Sequence, residues 1–142
     1  MKSSSPKSGF SLIEVLIATV LVGLAIAALL GASRSFTMAN ASGADLSTAE
    51  FLIEQIRERT ALLSFDDLNA FASGSPFSPP ISADGSPLND FPAFTQQVTV
   101  ENVSAANFEQ VVPGPSNFVR VTVRVLLNSR EISSVRWIRA LY

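Results

Sequence analysis

The stretch KSGFSLIEVLIATVLVGLAIAALLGA, residues 7–32, decides how the chain is built. From Phe10 to Gly31 its only charge is Glu14, and almost nothing else is polar beyond Ser11 and Thr19. A helix over residues 10–33 rises roughly 36 Å at about 1.5 Å per residue, enough to cross a hydrocarbon core of about 30 Å. No proline interrupts the chain from Lys7 to Gly74. Gly23 and Gly31 soften the helix or let neighbouring helices approach closely. Lys2 and Lys7 precede the span, Arg34 follows it alone, and the next charge is Asp45. That asymmetry predicts a cytoplasmic N-terminus and an exported C-terminal part.

Two ordinary explanations of this segment leave something over. A cleaved secretory signal has an apolar core of about 7–15 residues followed by a small-residue cleavage site. This core is longer, carries a carboxylate, and offers only Gly31-Ala32-Ser33 as a poor site. A plain anchor fits the length but gives Glu14 no purpose. A carboxylate deep in a bilayer costs on the order of 2.5–3.5 kcal/mol on insertion scales, less where it snorkels near a helix end.

The polar leader MKSSSPKSG, residues 1–9, followed by FSLIEVLIA, resembles the type IV prepilin signature. The resemblance covers residues 1 to about 35. It implies that a membrane peptidase cuts after Gly9 on the cytoplasmic side and methylates the new N-terminal Phe10. It also implies an assembly role for Glu14, five residues into the mature chain. Cleavage creates an ammonium at Phe10, and in a helical bundle that cation can meet the Glu14 carboxylate of a neighbour. Each charge is then paired rather than buried alone, and the pair favours one axial stagger between subunits. A glycine before the scissile bond adds no side chain to a tight peptidase site.

Composition narrows the remaining classes. The 142 residues hold no Cys and no His. Disulfides, thiolate zinc sites and cysteine nucleophiles are excluded, and the commonest general base and metal ligand is missing. An enzyme is therefore not expected. A net charge of −2 argues against a general nucleic-acid binder.

Beyond Arg34, Leu46, Ala49, Ile53, Ile56, Thr60 and Leu63 recur at alternating spacings of three and four, with Glu50, Glu54, Arg57 and Glu58 off that line. This is the packing stripe of an amphipathic helix facing a sheet. NASGAD, residues 40–45, reads as a kink or short break, with Ser42 or Asp45 able to cap a new start. The expectation is one long helix over about 11–63, its first half in membrane and its second half on a head domain, the lollipop shape the resemblance implies.

Residues 73–92, SGSPFSPPISADGSPLNDFP, hold five of the eight prolines and read as a loop. Asp84, Asn89 and Asp90 lack the spacing of a calcium loop and read as turn residues. Asp66-Asp67 reads as a helix-exit loop rather than an acid–base pair. No metal or cofactor is expected. FTQQVTV (94–100), FVRVTVRVLL (118–127) and EISSVRWIRALY (131–142) read as strands, the last two a hairpin with a bulge near Ser133-Ser134. In the second strand Val119, Val121, Val123, Val125 and Leu127 should face in, and Arg120, Thr122 and Arg124 out. Five of the ten basic residues lie between Arg120 and Arg139, with Glu131 alone opposing them. This suggests a cationic sheet face for an acidic partner or DNA, but no aromatic platform alternates with the arginines to hold bases, so a nucleic-acid partner is not favoured and a solvated strand face or an inter-subunit contact is preferred.

The expected fold class is α+β, a long N-terminal helix packed on an antiparallel sheet of three to four strands. The expected divisions are a cleaved leader at 1–9, a transmembrane and assembly helix at 10–33, an amphipathic half at 34–65, and a periplasmic head at 66–142 with loop 73–93 and hairpin 118–142. The small head and hairpin are similar to the I-type minor pseudopilins of type II secretion and to minor pilins of the V type. The absence of a cysteine-bridged C-terminal loop departs from many major pilins. The resemblance implies an inner-membrane, single-pass structural subunit built into a pseudopilus or pilus. Its implied partners are the prepilin peptidase, other pilins, the assembly platform and the lipid bilayer. A competence minor pilin and a stand-alone anchored periplasmic binding module are the alternatives.

Overall fold

The computed structural model describes residues 11–141. Its elements are α1 (Leu12–Leu62), α2 (Phe65–Ser73), β1 (Phe94–Asn102), β2 (Phe118–Leu127) and β3 (Arg130–Ala140). The strands form one antiparallel sheet in the order β1-β2-β3. The arrangement is α+β and pilin-like, with a long N-terminal helix and a small three-stranded sheet. The chain divides into two compact units, one ending at Ser42 and the other beginning at Gly43.

In the first unit α1 is exposed throughout. The expected break at residues 40–45 is not there, and α1 continues through Gly43. Two hydroxyls near this stretch bond back into the helix. Thr37 Oγ1 donates to the Ser33 carbonyl at 3.0 Å and Thr48 Oγ1 to the Ala44 carbonyl at 3.0 Å. Such back-bonding satisfies the hydroxyl within the helix, at a slight cost to the helix itself.

In the second unit the last five turns of α1 lie against the sheet. Ala49, Leu52, Ile53, Ile56 and Thr60 form its buried face. Opposite them Val119, Val121, Val123 and Val125 of β2 are fully buried, flanked by Phe94 and Val98 of β1. Strict alternation along β2 sends Thr122 and Arg124 to the other face, as a pleated strand requires. The hairpin closes through Asn128 and Ser129, whose φ values of 49° and 67° match the twist of the flanking strands. The bulge sits at Ile132, opposite the step from Val125 to Leu126, one residue before the expected Ser133.

Residues 65–73 correct the reading of Asp66-Asp67 as a helix-exit loop, because they form α2. Ser64 is its N-cap: Oγ accepts from the Asp67 backbone N–H at 3.1 Å and donates to the Asp67 carboxylate at 2.6 Å. Both aspartates thus lie in a first turn, where carboxylates are favoured by the helix dipole. Leu68 of α2 is fully buried and joins the core.

Two polar side chains tie these layers together. Gln96 points inward from β1 and is fully buried. Its Nε2 donates to the Leu52 carbonyl at 2.9 Å and the Ile81 carbonyl at 3.1 Å, while Oε1 accepts from the Ile81 N–H at 2.7 Å. One amide therefore joins α1, β1 and the proline-rich loop. Arg139 of β3 donates to the carbonyls of Thr60 at 2.6 Å and Leu63 at 2.5 Å. It caps the end of α1, where carbonyls lack helical partners and a cation is favoured. Replacing Gln96 by Leu fills the space but leaves the Ile81 N–H without its acceptor. Urea unfolding of the extracted protein should show a loss of about 1–3 kcal/mol.

Candidate functional site

Glu14 lies in the first turn of α1, two residues after the helix begins. Its neighbours are apolar and open: Leu12 is 84% exposed, and Ile13, Val15, Leu16 and Ile17 are each more than half exposed. The same holds for the large side chains from Val20 to Leu30, and none of the most apolar 18-residue window is buried. Length and composition make α1 able to cross a membrane. Among the described residues Glu14 takes part in no ion pair. Gly9 and Phe10, the expected cleavage and methylation residues, lie outside the described residues.

Of the expected packing stripe, Ala49, Ile53 and Ile56 are buried. Leu63 is half-buried just past the end of α1 and packs against the core. Leu46 departs from it and is 45% exposed. At about 100° per residue Leu46 points roughly 60° away from Ala49, toward the flank of the buried face. Leu52, fully buried, was outside the stripe as read. Its spacing of three from Ala49 and four from Ile56 was the available signal.

The proline-rich loop is held by turns and by α1. Asp84 accepts from the Ser82 hydroxyl and, at 2.9 Å, from the Ser86 N–H. The Ser82 hydrogen bond first, and the Ser86 bonds next, hold its carboxyl below the usual carboxylate range. Arg59 donates to the Asp84 carbonyl at 3.1 Å, and Gln55 accepts from the Ala83 N–H at 3.0 Å. Gly85, at φ 91°, lets the chain pass close to that guanidinium, 3.3 Å from where a Cβ would sit. Asp84 thus serves its own turn.

The sheet's outer face corrects the expectation of a cationic patch in two ways. Arg139 is not on that face, since it lies opposite Val119 and turns inward to cap α1. Arg120, Arg124 and Arg136 meet carboxylates, those of Arg120 and Arg136 being distant in sequence. Arg120 contacts Glu101 at 2.8 Å and Glu109 at 3.5 Å, and Arg136 contacts Glu109 at 3.2 Å. Arg124 faces Glu131 at 3.7 Å. Together with Thr99, Thr122 and Ser134 these arginines border an open polar cleft of about 480 Å³. The cross-strand pair Glu101–Arg120 could have been found once β1 and β2 were placed in register. Glu109 comes from the loop between them and carried no such signal.

A family model described as the prokaryotic N-terminal methylation motif matches residues 4–30. The chain therefore carries the type IV pilin-like prepilin signature, the mark of a prepilin peptidase substrate. The match and the apolar helix fit a membrane-anchored, single-pass protein. No curated protein and no solved structure matches the chain.

Within the outer face the pairs differ in weight. Arg120 is 12% exposed in its side chain, whereas Arg124 is 53% exposed. Arg120→Ala should lower stability by about 1–3 kcal/mol and speed amide exchange across residues 104–112. Arg124→Ala should change stability by no more than about 0.5 kcal/mol in the same unfolding measurement.

Proposed function

We infer that the chain is a structural subunit, a minor pseudopilin or minor pilin, whose activity is assembly rather than catalysis. The observation that carries this is the methylation motif at residues 4–30, continuous with an apolar helix that none of the described residues covers. In this reading the leader 1–9 is removed after Gly9 on the cytoplasmic side of the inner membrane, and Phe10 is methylated. Residues 10–33 hold the subunit in the bilayer with its head, residues 66–142, in the periplasm. The helix then leaves lipid for a bundle of similar helices, recruited by the assembly platform. Ammonium and carboxylate would be stranded separately in lipid and become neighbours in the bundle, with Phe10 of one subunit meeting Glu14 of the next.

The small head and the C-terminal hairpin support the minor-subunit form, and we lean to the pseudopilus of a type II secretion system. The pairing of Arg120, Arg124 and Arg136 with carboxylates supports a protein-facing surface over a DNA-facing one.

Glu14→Ala tests the assignment. Leader removal, read from the shortened chain on a gel, should continue at close to the normal level. The amount recovered in sheared filaments should fall by roughly tenfold or more, because the neighbouring ammonium is left buried alone. Incorporation at the level of the unaltered chain would refute the pairing role.

A further inference from the structure

The two edges of the sheet are not alike. Val103 donates its N–H to the Phe118 carbonyl at 3.0 Å, just past the end of the β1–β2 ladder. By the alternation of an antiparallel pair, Phe94, Gln96, Val98, Val100 and Asn102 then turn their backbone groups away from β2. The chain itself engages most of them. The Phe94 N–H donates to the Phe91 carbonyl at 3.0 Å, and Gln96 exchanges backbone bonds with Phe77 at 2.8 and 3.1 Å. The Val98 N–H donates to the Ser75 hydroxyl at 2.7 Å, and the Asn102 carbonyl accepts from the Val112 N–H at 2.9 Å. The β1 edge is closed.

At the other edge, Leu141 donates its N–H to the Asn117 carbonyl at 2.8 Å. Continued back along the β2–β3 ladder, this directs the backbone groups of Val135, Trp137 and Arg139 to β2 and those of Ser134, Arg136 and Ile138 outward. Among the described residues these outward N–H and C=O groups have no hydrogen-bond partner. Edges are commonly blunted by proline, lysine, a bulge or a short strand. β3 has 11 residues without proline or lysine, and its bulge at Ile132 precedes this stretch. Its inward-pointing charge, Arg139, is turned to the end of α1. The inward side chains of Val135 and Trp137 stay half-buried, whereas Gln96 and Val98 on β1 are buried. The sheet is finished on one side and open on the other.

Unpaired strand groups at this spacing fit another extended backbone. A second copy of the chain does not suit them. With its β1 edge closed it could offer only its own β3, and a contact of one edge with itself is two-fold and antiparallel. In this unit α1 and β3 run in the same direction, since Arg57 meets Trp137 while Thr60 and Leu63 meet Arg139. The two-fold pair would set the two α1 helices in opposite directions, unlike chains that leave one membrane the same way. We propose that the β3 edge receives an extended segment of a different pilin-like subunit, which adds a fourth strand beside Ser134, Arg136 and Ile138. Its residues next to Val135 and Trp137 are apolar, and those next to Arg136 are polar or acidic. One open edge that copies of the chain cannot fill suits a minor subunit. The proposal rests on the assembly reading and adds where a neighbour binds.

Full-length chain with the photoreactive residue p-benzoylphenylalanine in place of Ser134 is irradiated in native membranes that hold the whole assembly, and the adducts are sequenced. The adduct should join residue 134 to an alternating stretch of a different chain that itself begins with an N-methylated residue. Arg136→Pro removes an outward N–H without touching the ladder to β2, and should lower the adduct roughly tenfold. Arg136→Ala keeps that N–H and should leave the yield within about twofold. In the unaltered chain the amides of Ser134, Arg136 and Ile138 should exchange at least about tenfold more slowly in the assembly than in detergent, a reading independent of how Arg136→Pro folds. An adduct to a copy of this chain, an adduct to a protein without a methylated N-terminus, equal effects of the two Arg136 variants, or unchanged exchange overturns the proposal. Leader removal is read on the same samples from the mass of the N-terminal peptide. A cleaved chain without an adduct overturns the docking alone, whereas an uncleaved chain overturns the assembly reading.

Discussion

The apolar first half of α1 has to be covered, and none of the described residues covers it. Twelve large aliphatic side chains between Leu12 and Leu30 are each more than half exposed. At about 1.5–3 kcal/mol each, leaving them in water would cost more than the 5–15 kcal/mol that holds a typical domain together. Lipid or other helices would supply such a cover. The second half of the same helix meets the requirement internally, with Ala49, Leu52, Ile53 and Ile56 placed against the valines of β2. One continuous element therefore joins a self-sufficient unit to one that is complete only in company.

In the assembly reading proposed above, Glu14 takes its meaning from that incompleteness. A carboxylate among exposed leucines, isoleucines and valines is a liability in lipid, which its place in the first turn of α1 offsets only in part. It becomes useful where a cation is presented at fixed offset by another chain, and cleavage behind Gly9 would make such a cation at Phe10. The head is organised by the opposite logic. Gln96 and Arg139 satisfy backbone groups of α1 from two different strands, so the helix end and the sheet are fixed to each other.

Much of this was readable from residue order because it depends on local pattern. The alternation of β2, the apolar length of residues 10–33 and the proline-rich loop each arise from neighbouring residues. Long-range pairing was not readable. Arg139 looked like one more cation on the sheet face, and only its register with Val119 sends it under the sheet. Glu109 looked like a loop carboxylate until the loop placed it beside Arg120 and Arg136. Asp66-Asp67 was misread although Ser64 three residues before Asp67 is a capping-box spacing. The expected break at residues 40–45 followed intrinsic preferences of Asn, Ser and Gly, which the continuous helix overrides.

The central claim is that residues 1–9 are a leader and that the working N-terminus is Phe10. Intact-mass and N-terminal peptide spectrometry of the membrane-extracted protein, from cells with an active prepilin peptidase, tests it most directly. The account requires a chain beginning at Phe10 and bearing one N-methyl group. A chain that retains Met1, or one cut elsewhere than behind Gly9, would contradict it.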